Sequence, residues 1–157
     1  MLLPTITSGL LVFLGEVATD ADPAELGGET VFDIASCEGC GKCLAACPTG
    51  ILRGEGDVCL SALTQKKGEL SEEEKALLRR CGMAWGCDAC QTACPHTQNA
   101  IRSGSAFSPI PFFEKDRIAR LSSSLLEGMP EEDFRERAFA WRGRETVLRN
   151  VKILEEP

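Results

Sequence analysis

Hydrophobic residues recur at helical spacing through the last third of the chain and predict three helices there. Gly128 ends the first helix, Pro130 opens the second, and Gly143 breaks the pattern before the third. Each helix has one apolar face that can pack against a neighbour. These faces consist of Ile118, Leu121 and Leu125; of Phe134, Ala138 and Trp141; and of Val147, Leu148, Val151 and Leu154.

The middle of the chain predicts shorter helices. Ser71 followed by three glutamates is a capping box, so a helix should begin there and run through Arg80. Acidic residues lie at its start, basic residues lie at its end and Gly82 comes just beyond, as the helix dipole and the C-cap favour. We expect two further short helical segments, over residues 42–47 and 88–94.

Residues 1–17 are mostly apolar, with an uninterrupted run over residues 9–15. A membrane-spanning helix needs about 20 apolar residues, so this run is too short for one. A signal peptide needs a positively charged start, whereas the first basic residue of this chain is Lys42. We therefore expect no membrane span. Instead, we expect a buried strand or helix that packs against something preceding it. Residues 20–33 are acidic and rich in turn residues, and they predict a loop.

Nine cysteines carry the most specific chemical signal. Four follow the C-x2-C-x2-C-x3-C-P spacing of bacterial two-cluster ferredoxins, and a second run repeats that spacing without its first cysteine. A disulfide scaffold does not need this spacing twice, and without a secretory signal we expect metal-binding thiols in a reducing cytoplasm. Zinc sites usually pair two C-x2-C knuckles, so the spacing favours iron–sulfur cubanes over zinc. The runs are Cys37, Cys40, Cys43 and Cys47-Pro48, and then Cys87, Cys90 and Cys94-Pro95.

Charge is distributed unevenly along the chain. The formal net charge is −7, and residues 1–41 alone contain seven acidic residues and no lysine or arginine. Residues 42–113 sum to +1 and residues 114–157 to −1. Whole-chain acidity argues against a generic nucleic-acid binder, although a local basic face is compatible with it.

Two [4Fe–4S] clusters need about eight cysteine ligands, and the ferredoxin pattern assigns seven of them, because the last cysteine of each run binds the cluster of the other run. The position expected for the eighth is occupied by Ala84, which leaves Cys59 or Cys81. Spacing favours Cys59, which follows a turn in an apolar context, over Cys81 at the end of a capped helix. We thus expect Cys37, Cys40, Cys43 and Cys94 on cluster one, and Cys47, Cys59, Cys87 and Cys90 on cluster two.

These elements predict an α+β fold, mostly helix and loop, of the bacterial two-cluster ferredoxin type with a C-terminal helical segment. The length of 157 residues suits one domain with an appendage. We expect three regions: an apolar N-terminal segment over residues 1–30, a double [4Fe–4S] domain over 31–112, and a helical tail over 113–157.

Several segments resemble the iron–sulfur domain of epoxyqueuosine reductases. The resemblance covers about residues 8–154, and its specific parts surround Cys59 and Cys87. The first cysteine run alone is common to all such ferredoxins. The matching segments are residues 11–20, 47–50, 59–64, 67–69, 86–91, 138–144 and 148–150.

The resemblance implies an oxidoreductase that reduces the epoxide of epoxyqueuosine in tRNA to queuosine. That family uses cobalamin, and its clusters feed electrons to the cobalt. The resemblance also supports Cys59, because the additional cluster ligand of the family lies in the matching segment, whereas Cys81 has no counterpart.

This chain departs from the family pattern. The family places its cobalamin-binding domain and its candidate proton donor before the stretch where this chain begins, and longer members continue into helical repeats that hold tRNA. We therefore expect an electron-transfer portion with no catalytic residue of its own. Its expected partners are a cobalamin-binding domain or protein, an electron donor and, in a complete enzyme, tRNA. The alternatives are a stand-alone dicluster ferredoxin-like carrier and a non-catalytic iron–sulfur protein that binds a partner.

Other side chains allow two interpretations each. His96 either donates a hydrogen bond to a cluster or is an ordinary loop residue, and Trp85 either stacks on a cofactor or nucleic acid or packs beside cluster two. The ordinary role is favoured for both. Arg135, Arg142 and Arg149 recur every seven residues and either face phosphates or pair with nearby glutamates.

Overall fold

The computed structural model describes residues 5, 8–12, 18–22, 24–26, 35–108, 110–113 and 116–156. The chain forms two compact units, each built from two segments. Unit one consists of Met1–Cys43 and Cys90–Pro109, and unit two consists of Leu44–Ala89 and Ile110–Pro157.

Helices and turns make up nearly all of the described structure. Strand-like pairing in this part of the chain is limited to an isolated antiparallel bridge between Thr5 and Gly9, so the expectation of a mostly helical and loop fold is confirmed. Three short 3-10 helices cover Ile51–Arg53, Pro111–Phe113 and Ala140–Arg142. The α-helices are α1 (Lys42–Ala46), α2 (Leu60–Gln65), α3 (Glu72–Cys81), α4 (Ala89–Thr92), α5 (Pro95–Ser103), α6 (Ser123–Gly128), α7 (Glu131–Arg135) and α8 (Arg144–Glu155).

Helix length also determines whether a helix can cross a membrane. The longest of these helices, α8, has 12 residues. No helix in the described ranges combines the length and the apolar composition that crossing a bilayer requires.

Helix α3 begins where the sequence predicts and ends one residue later than predicted, at Cys81. The Ser71 Oγ accepts a hydrogen bond from the backbone N–H of Glu74 at 3.3 Å, and the Glu74 carboxylate accepts one from the backbone N–H of Ser71 at 2.9 Å. Gly82 closes the helix in the left-handed conformation, with φ of 64°. The capping box therefore satisfies two N–H groups that the first turn would leave without partners.

Replacing Ser71 with alanine should lower the free energy of unfolding by about 1 kcal/mol, because the N-cap acceptor is lost. Thermal unfolding of the anaerobic protein, followed by far-UV circular dichroism, measures the effect. Ser71→Asp keeps a capping oxygen and should retain most of the wild-type stability. An alanine variant that unfolds at the wild-type temperature would contradict this account.

Two helices of the last third are shorter than their apolar patterns predict. The first begins at Ser123 rather than near Ile118, because the Ser122 hydroxyl caps it by accepting from the backbone N–H of Leu125 at 3.2 Å. The second, α7, ends at Arg135. Phe134 and Phe139 are both buried and their ring centroids lie 5.6 Å apart.

The Phe134–Phe139 contact explains the early end of α7. Residues five apart point about 140° away from each other on a regular helix of 3.6 residues per turn. A continuous helix could not place both rings in one core, and the chain makes tighter turns between them. One consequence is that Trp141, predicted on the buried face, is 62% exposed.

Two helices were not predicted, α2 and α5. Helix α2 begins directly after Cys59, and α5 begins at Pro95 directly after Cys94. Proline in the interior of a helix breaks the hydrogen-bond ladder. At the first position of a new helix, however, it costs nothing, because the missing N–H would have no intrahelical partner there.

Helix α8 is the central helix of unit two, since it packs against α2, α3 and α6. Two hydrophobic clusters meet on it. Ile153 belongs to a cluster with Leu60, Leu63, Leu70 and Leu78, and Val147 and Val151 belong to a cluster with Leu126, Phe134 and Phe139. The segment expected to be a tail therefore contributes to both core clusters of this unit, and each fully buried leucine stabilises it by roughly 1.5–3 kcal/mol. The sequence-based limits of 1–30, 31–112 and 113–157 stay a prediction.

The expected strand or helix near the N-terminus is described only in part. Leu10 is 8% exposed, whereas Leu11 and Val12 are about one-third exposed. The remainder of the apolar run, residues 13–15, lies outside the described residues.

Candidate iron–sulfur centres

Four cysteines of unit one line a single cavity. They are the set that the sequence assigns to cluster one: Cys37, Cys40, Cys43 and Cys94. The cavity has a volume of about 40 Å³, several times the roughly 10–15 Å³ that one water molecule needs. None of the nine cysteines, all of which are described, forms a disulfide, so these thiols are available as ligands.

Local backbone geometry presents these four thiols. Gly39 and Gly41 have φ of 67° and 71°, a left-handed conformation that lets the loop turn twice between its cysteines. Cys43 lies in helix α1, and Cys94 is the N-cap of α5. The first cysteine run thus forms a loop that turns at two glycines and leads into the short helix α1.

The rest of the cavity wall is partly apolar. Leu10 and Pro95 contribute hydrocarbon, and Glu38 and His96 contribute polar groups. His96 therefore lines the same cavity as the four cysteines, and both of its interpretations stay open. Apolar cover matters here, because solvent exposure is one of the factors that set the potential of an iron–sulfur cluster.

The surroundings of Cys47, a predicted ligand of cluster two, favour its thiolate form. Partial burial raises the pKa of its thiol, but hydrogen bonds outweigh this effect and lower the pKa to about 7. They come from the backbone N–H groups of Leu52, Thr49 and Gly50 and from the Thr49 hydroxyl, whose oxygen lies 3.6 Å from the sulfur. Thiolate is the form that binds metal, so this environment suits a ligand.

The turn that follows Cys47 is tightly folded. A Cβ at Gly56 would lie 2.0 Å from the carbonyl oxygen of Thr49, so only glycine fits there. Arg53 donates to the carbonyl oxygen of Leu44 and pairs with Glu55 at 2.7 Å. These contacts hold the N–H groups that face the Cys47 sulfur.

The other predicted ligands of cluster two lie in different settings. Cys59 is exposed at the N-cap of α2, whereas Cys87 is half-buried against the cluster of Leu60 and Leu63. Cys81, the rejected candidate, ends α3 and packs half-buried against the same hydrophobic cluster. Cys90 lies within α4. The ligand set of cluster two, including the choice of Cys59 over Cys81, stays a prediction.

A buried polar network connects the segments that carry Cys59 and Cys87. The Thr64 hydroxyl on α2 accepts from the backbone N–H of Gly86 at 3.0 Å. The fully buried Asn150 amide on α8 donates to the carbonyl oxygens of Thr64, at 2.6 Å, and Ala84, at 2.9 Å. This network was not predicted from the sequence. Its only sequence signal is an asparagine on the apolar face of the last helix.

Four of the residues with open interpretations have contacts within the protein. The Trp85 ring packs edge-on against Phe139 and Trp141, with centroids 6.3 and 6.5 Å away, which supports the packing role. Arg149 donates to the carbonyl oxygens of Lys66 and Gly68. Arg135 pairs with Glu131 at 3.1 Å, and Arg142 stacks over the Trp141 ring at 4.0 Å.

Geometry distinguishes the thiolates of a cubane from those of a single zinc ion. Within the described residues, no three Cys, His, Asp or Glu side chains converge closely enough to hold one metal ion. Thiolates on a single zinc lie about 2.3 Å from it and hence about 3.8 Å from one another. In a cubane each thiolate binds a different iron, so the sulfurs stand further apart.

Known proteins match the chain over this region and beyond it. Residues 36–97 match the 4Fe-4S double cluster binding domain family. The epoxyqueuosine reductase of Listeria monocytogenes is 34% identical over 158 residues, covering 98% of this chain and 40% of that protein. The epoxyqueuosine reductase of Bacillus subtilis is 36% identical over 124 residues, covering 73% of this chain and 30% of that protein.

Solved structures agree with the sequence matches. A crystal structure of epoxyqueuosine reductase with an epoxyqueuosine-modified tRNA stem loop matches with a TM-score of 0.57 and 34% identity, over 76% of this chain and 32% of that one. The chain thus spans 40% or less of the length of these relatives. Family, fold and cysteine pattern agree, and the resemblance inferred from sequence is confirmed. The chain belongs to the epoxyqueuosine reductase family and contains its 4Fe-4S double cluster binding domain.

Proposed function

We propose that this protein is the electron-transfer part of an epoxyqueuosine reductase system that acts in tRNA queuosine biosynthesis. Two [4Fe–4S] clusters would supply one-electron transfer, and the electrons would pass from a cellular donor towards cobalamin. The cobalamin would be held by another domain or another polypeptide. The observation that carries this proposal is the cavity lined by the four cysteines that the ferredoxin pattern assigns to one cluster.

The described residues have defined tasks in this proposal. Cys37, Cys40, Cys43 and Cys94 would hold cluster one. Cys47, Cys59, Cys87 and Cys90 would hold cluster two, and the N–H groups around Cys47 would favour the thiolate form of that ligand. Leu10 and Pro95 would keep water from one side of cluster one.

The relatives supply the substrate class. One solved relative is described with an epoxyqueuosine-modified tRNA stem loop, so tRNA is the substrate we propose for the complete system. The chain is acidic overall, and Arg149 and Arg135 are engaged in contacts within the protein. We therefore place tRNA binding mainly on the partner.

Metal analysis tests the first part of the proposal. After anaerobic reconstitution we expect about eight irons and eight acid-labile sulfides per chain, the content of two cubanes. Inductively coupled plasma spectrometry and a colorimetric sulfide assay give both values. A protein that contains mainly zinc and no sulfide would overturn the iron–sulfur assignment.

Activity in trans tests the second part. The reduced holo-protein would be incubated anaerobically with epoxyqueuosine-containing tRNA, with and without the product of the reading frame upstream and with added cobalamin. We expect queuosine to form only when a cobalamin-binding partner is present, and mass spectrometry of the digested tRNA detects it. Formation of queuosine by this chain alone would contradict the proposal that electron transfer and cobalamin binding belong to separate parts. Electron delivery to generic acceptors without any dependence on such a partner would favour a stand-alone ferredoxin-like carrier.

A further inference from the structure

A buried hydrogen bond fastens the N-terminal segment to the helix that carries Cys94. The backbone N–H of Leu10 donates to the Thr97 Oγ1 at 3.0 Å. Thr97 has no exposed surface, and it lies in the first turn of α5, three residues after Cys94. Residues three apart share one face of a helix, so the ligand and this anchor belong to the same turn.

The backbone of the N-terminal segment approaches α5 unusually closely at this point. Gly9 has φ of 61°, and a Cβ there would lie 2.4 Å from the Cα of Thr97. No side chain fits in that space. The antiparallel bridge between Thr5 and Gly9 supports the same turn from the other side, with N···O distances of 2.7 and 3.2 Å.

The anchored residue is the one that faces the cysteine cavity. Leu10 lines the cavity with Cys94 and the three cysteines of the first run, and it is 8% exposed. Its neighbours Leu11 and Val12 are 36% and 38% exposed and are not part of the cavity wall. The hydrogen bond therefore fixes a single leucine side chain over the thiols.

We propose that Thr97 is a positioning residue that holds Leu10 as an apolar cover over cluster one and thereby sets the reduction potential of that cluster. This inference rests on the proposed function, since it requires a cluster in the cavity. Reduction adds negative charge to an already anionic cluster, and nearby water stabilises that charge better than hydrocarbon does. Loss of the cover should therefore make cluster one easier to reduce.

Thr97→Val tests the hydrogen bond with almost no change of side-chain shape. We expect the midpoint potential of one cluster to become more positive, with about a threefold change in the reduction equilibrium. This corresponds to roughly 28 mV at 59 mV per tenfold change for one electron. Redox titration monitored by electron paramagnetic resonance measures both clusters separately. Thr97→Ser keeps the hydroxyl and should restore the wild-type potential.

Two further variants test whether the shift in potential comes from loss of the Leu10 cover or from general destabilisation of the protein. Leu10→Ala keeps the backbone hydrogen bond but removes the side chain, and it should shift the same cluster in the same direction. Thr146→Val is the matched control, because it removes another buried threonine hydroxyl, which donates to the carbonyl oxygen of Arg142 in unit two at 3.1 Å. It should leave both potentials unchanged.

The outcomes distinguish the two proposals. If the wild-type protein contains two clusters, and neither Thr97→Val nor Leu10→Ala moves a potential, the covering role is wrong and the proposed function stands. An equal shift in the Thr146→Val control would also overturn the covering role. If the wild-type protein assembles no cluster at all, the proposed function and this inference are both overturned.

Discussion

Replacing Cys59 with serine is expected to remove about half of the iron from the reconstituted protein, whereas replacing Cys81 with serine should leave the iron content unchanged. Cys59 is exposed at the N-cap of α2, so its sulfur is free of core packing. Cys81 is half-buried at the end of α3 and packs against the hydrophobic cluster of Leu60, Leu63 and Leu78. Cys87, a predicted ligand, packs against the same cluster, so the choice of Cys59 rests mainly on the cysteine spacing and on the family resemblance.

The two variants form a matched pair, because each removes one sulfur and introduces one hydroxyl. Iron and sulfide analysis after anaerobic reconstitution gives the stoichiometry, and the electron paramagnetic resonance spectrum of the reduced protein shows whether one cluster or two remain. The Cys59 variant should retain about four irons, and the Cys81 variant about eight. The assignment would be reversed if the Cys81 variant lost half of its iron and the Cys59 variant lost none.

The cysteine chemistry was accessible from sequence because its signal is local. The first run presents three thiols within seven residues, and the proline after each last cysteine marks the end of the pattern. Cys94 is the distant predicted ligand of cluster one by ferredoxin logic, and it lines the same cavity as Cys37, Cys40 and Cys43. The helix at Ser71 was likewise predictable, because a capping box lies entirely within four residues.

The supporting contacts were not accessible, because they join residues far apart in the chain. Leu10 and Thr97 are 87 positions apart, and Asn150 and Thr64 are 86 positions apart. Neither pair produces a periodic pattern in the sequence. A single threonine or asparagine on an apolar helix face only interrupts the hydrophobic pattern and does not indicate its partner. The predicted length of helix α7 was wrong for a related reason. Both Phe134 and Phe139 pack in the core, and this tertiary packing overrides the helical periodicity of the sequence.

The interior of unit two illustrates what such contacts contribute. Asn150 is fully buried, and its amide nitrogen donates to two carbonyl oxygens. Its side-chain oxygen accepts from the Arg149 guanidinium at 2.8 and 3.1 Å. One carbonyl belongs to Thr64 on the helix that follows Cys59, and the other to Ala84, three residues before Cys87. The asparagine thus holds together the two segments that present these predicted ligands of cluster two.

Replacing Asn150 with alanine should lower the free energy of unfolding by about 3 kcal/mol, because two backbone acceptors lose their buried donor. For a chain of this size that corresponds to a fall of roughly 6–12 °C in the unfolding temperature. Thermal unfolding of the anaerobic holo-protein, followed by far-UV circular dichroism, measures it. Asn99→Ala is the matched control: this asparagine is exposed, and its loss should change stability by less than about 0.5 kcal/mol.

The same substitution should also affect the clusters unequally. Asn150 supports the segments that carry Cys59 and Cys87, which are predicted ligands of cluster two. The predicted ligands of cluster one lie in unit one: Cys37, Cys40, Cys43 and Cys94. In the variant, a chelator should therefore remove about half of the iron faster than it does from the wild type. Asn150→Asp nearly preserves side-chain volume but removes both donors, so it should behave like the alanine variant if hydrogen bonding rather than packing is responsible. Wild-type stability in either variant, or equal acceleration of all iron loss, would show that the network does not support cluster two.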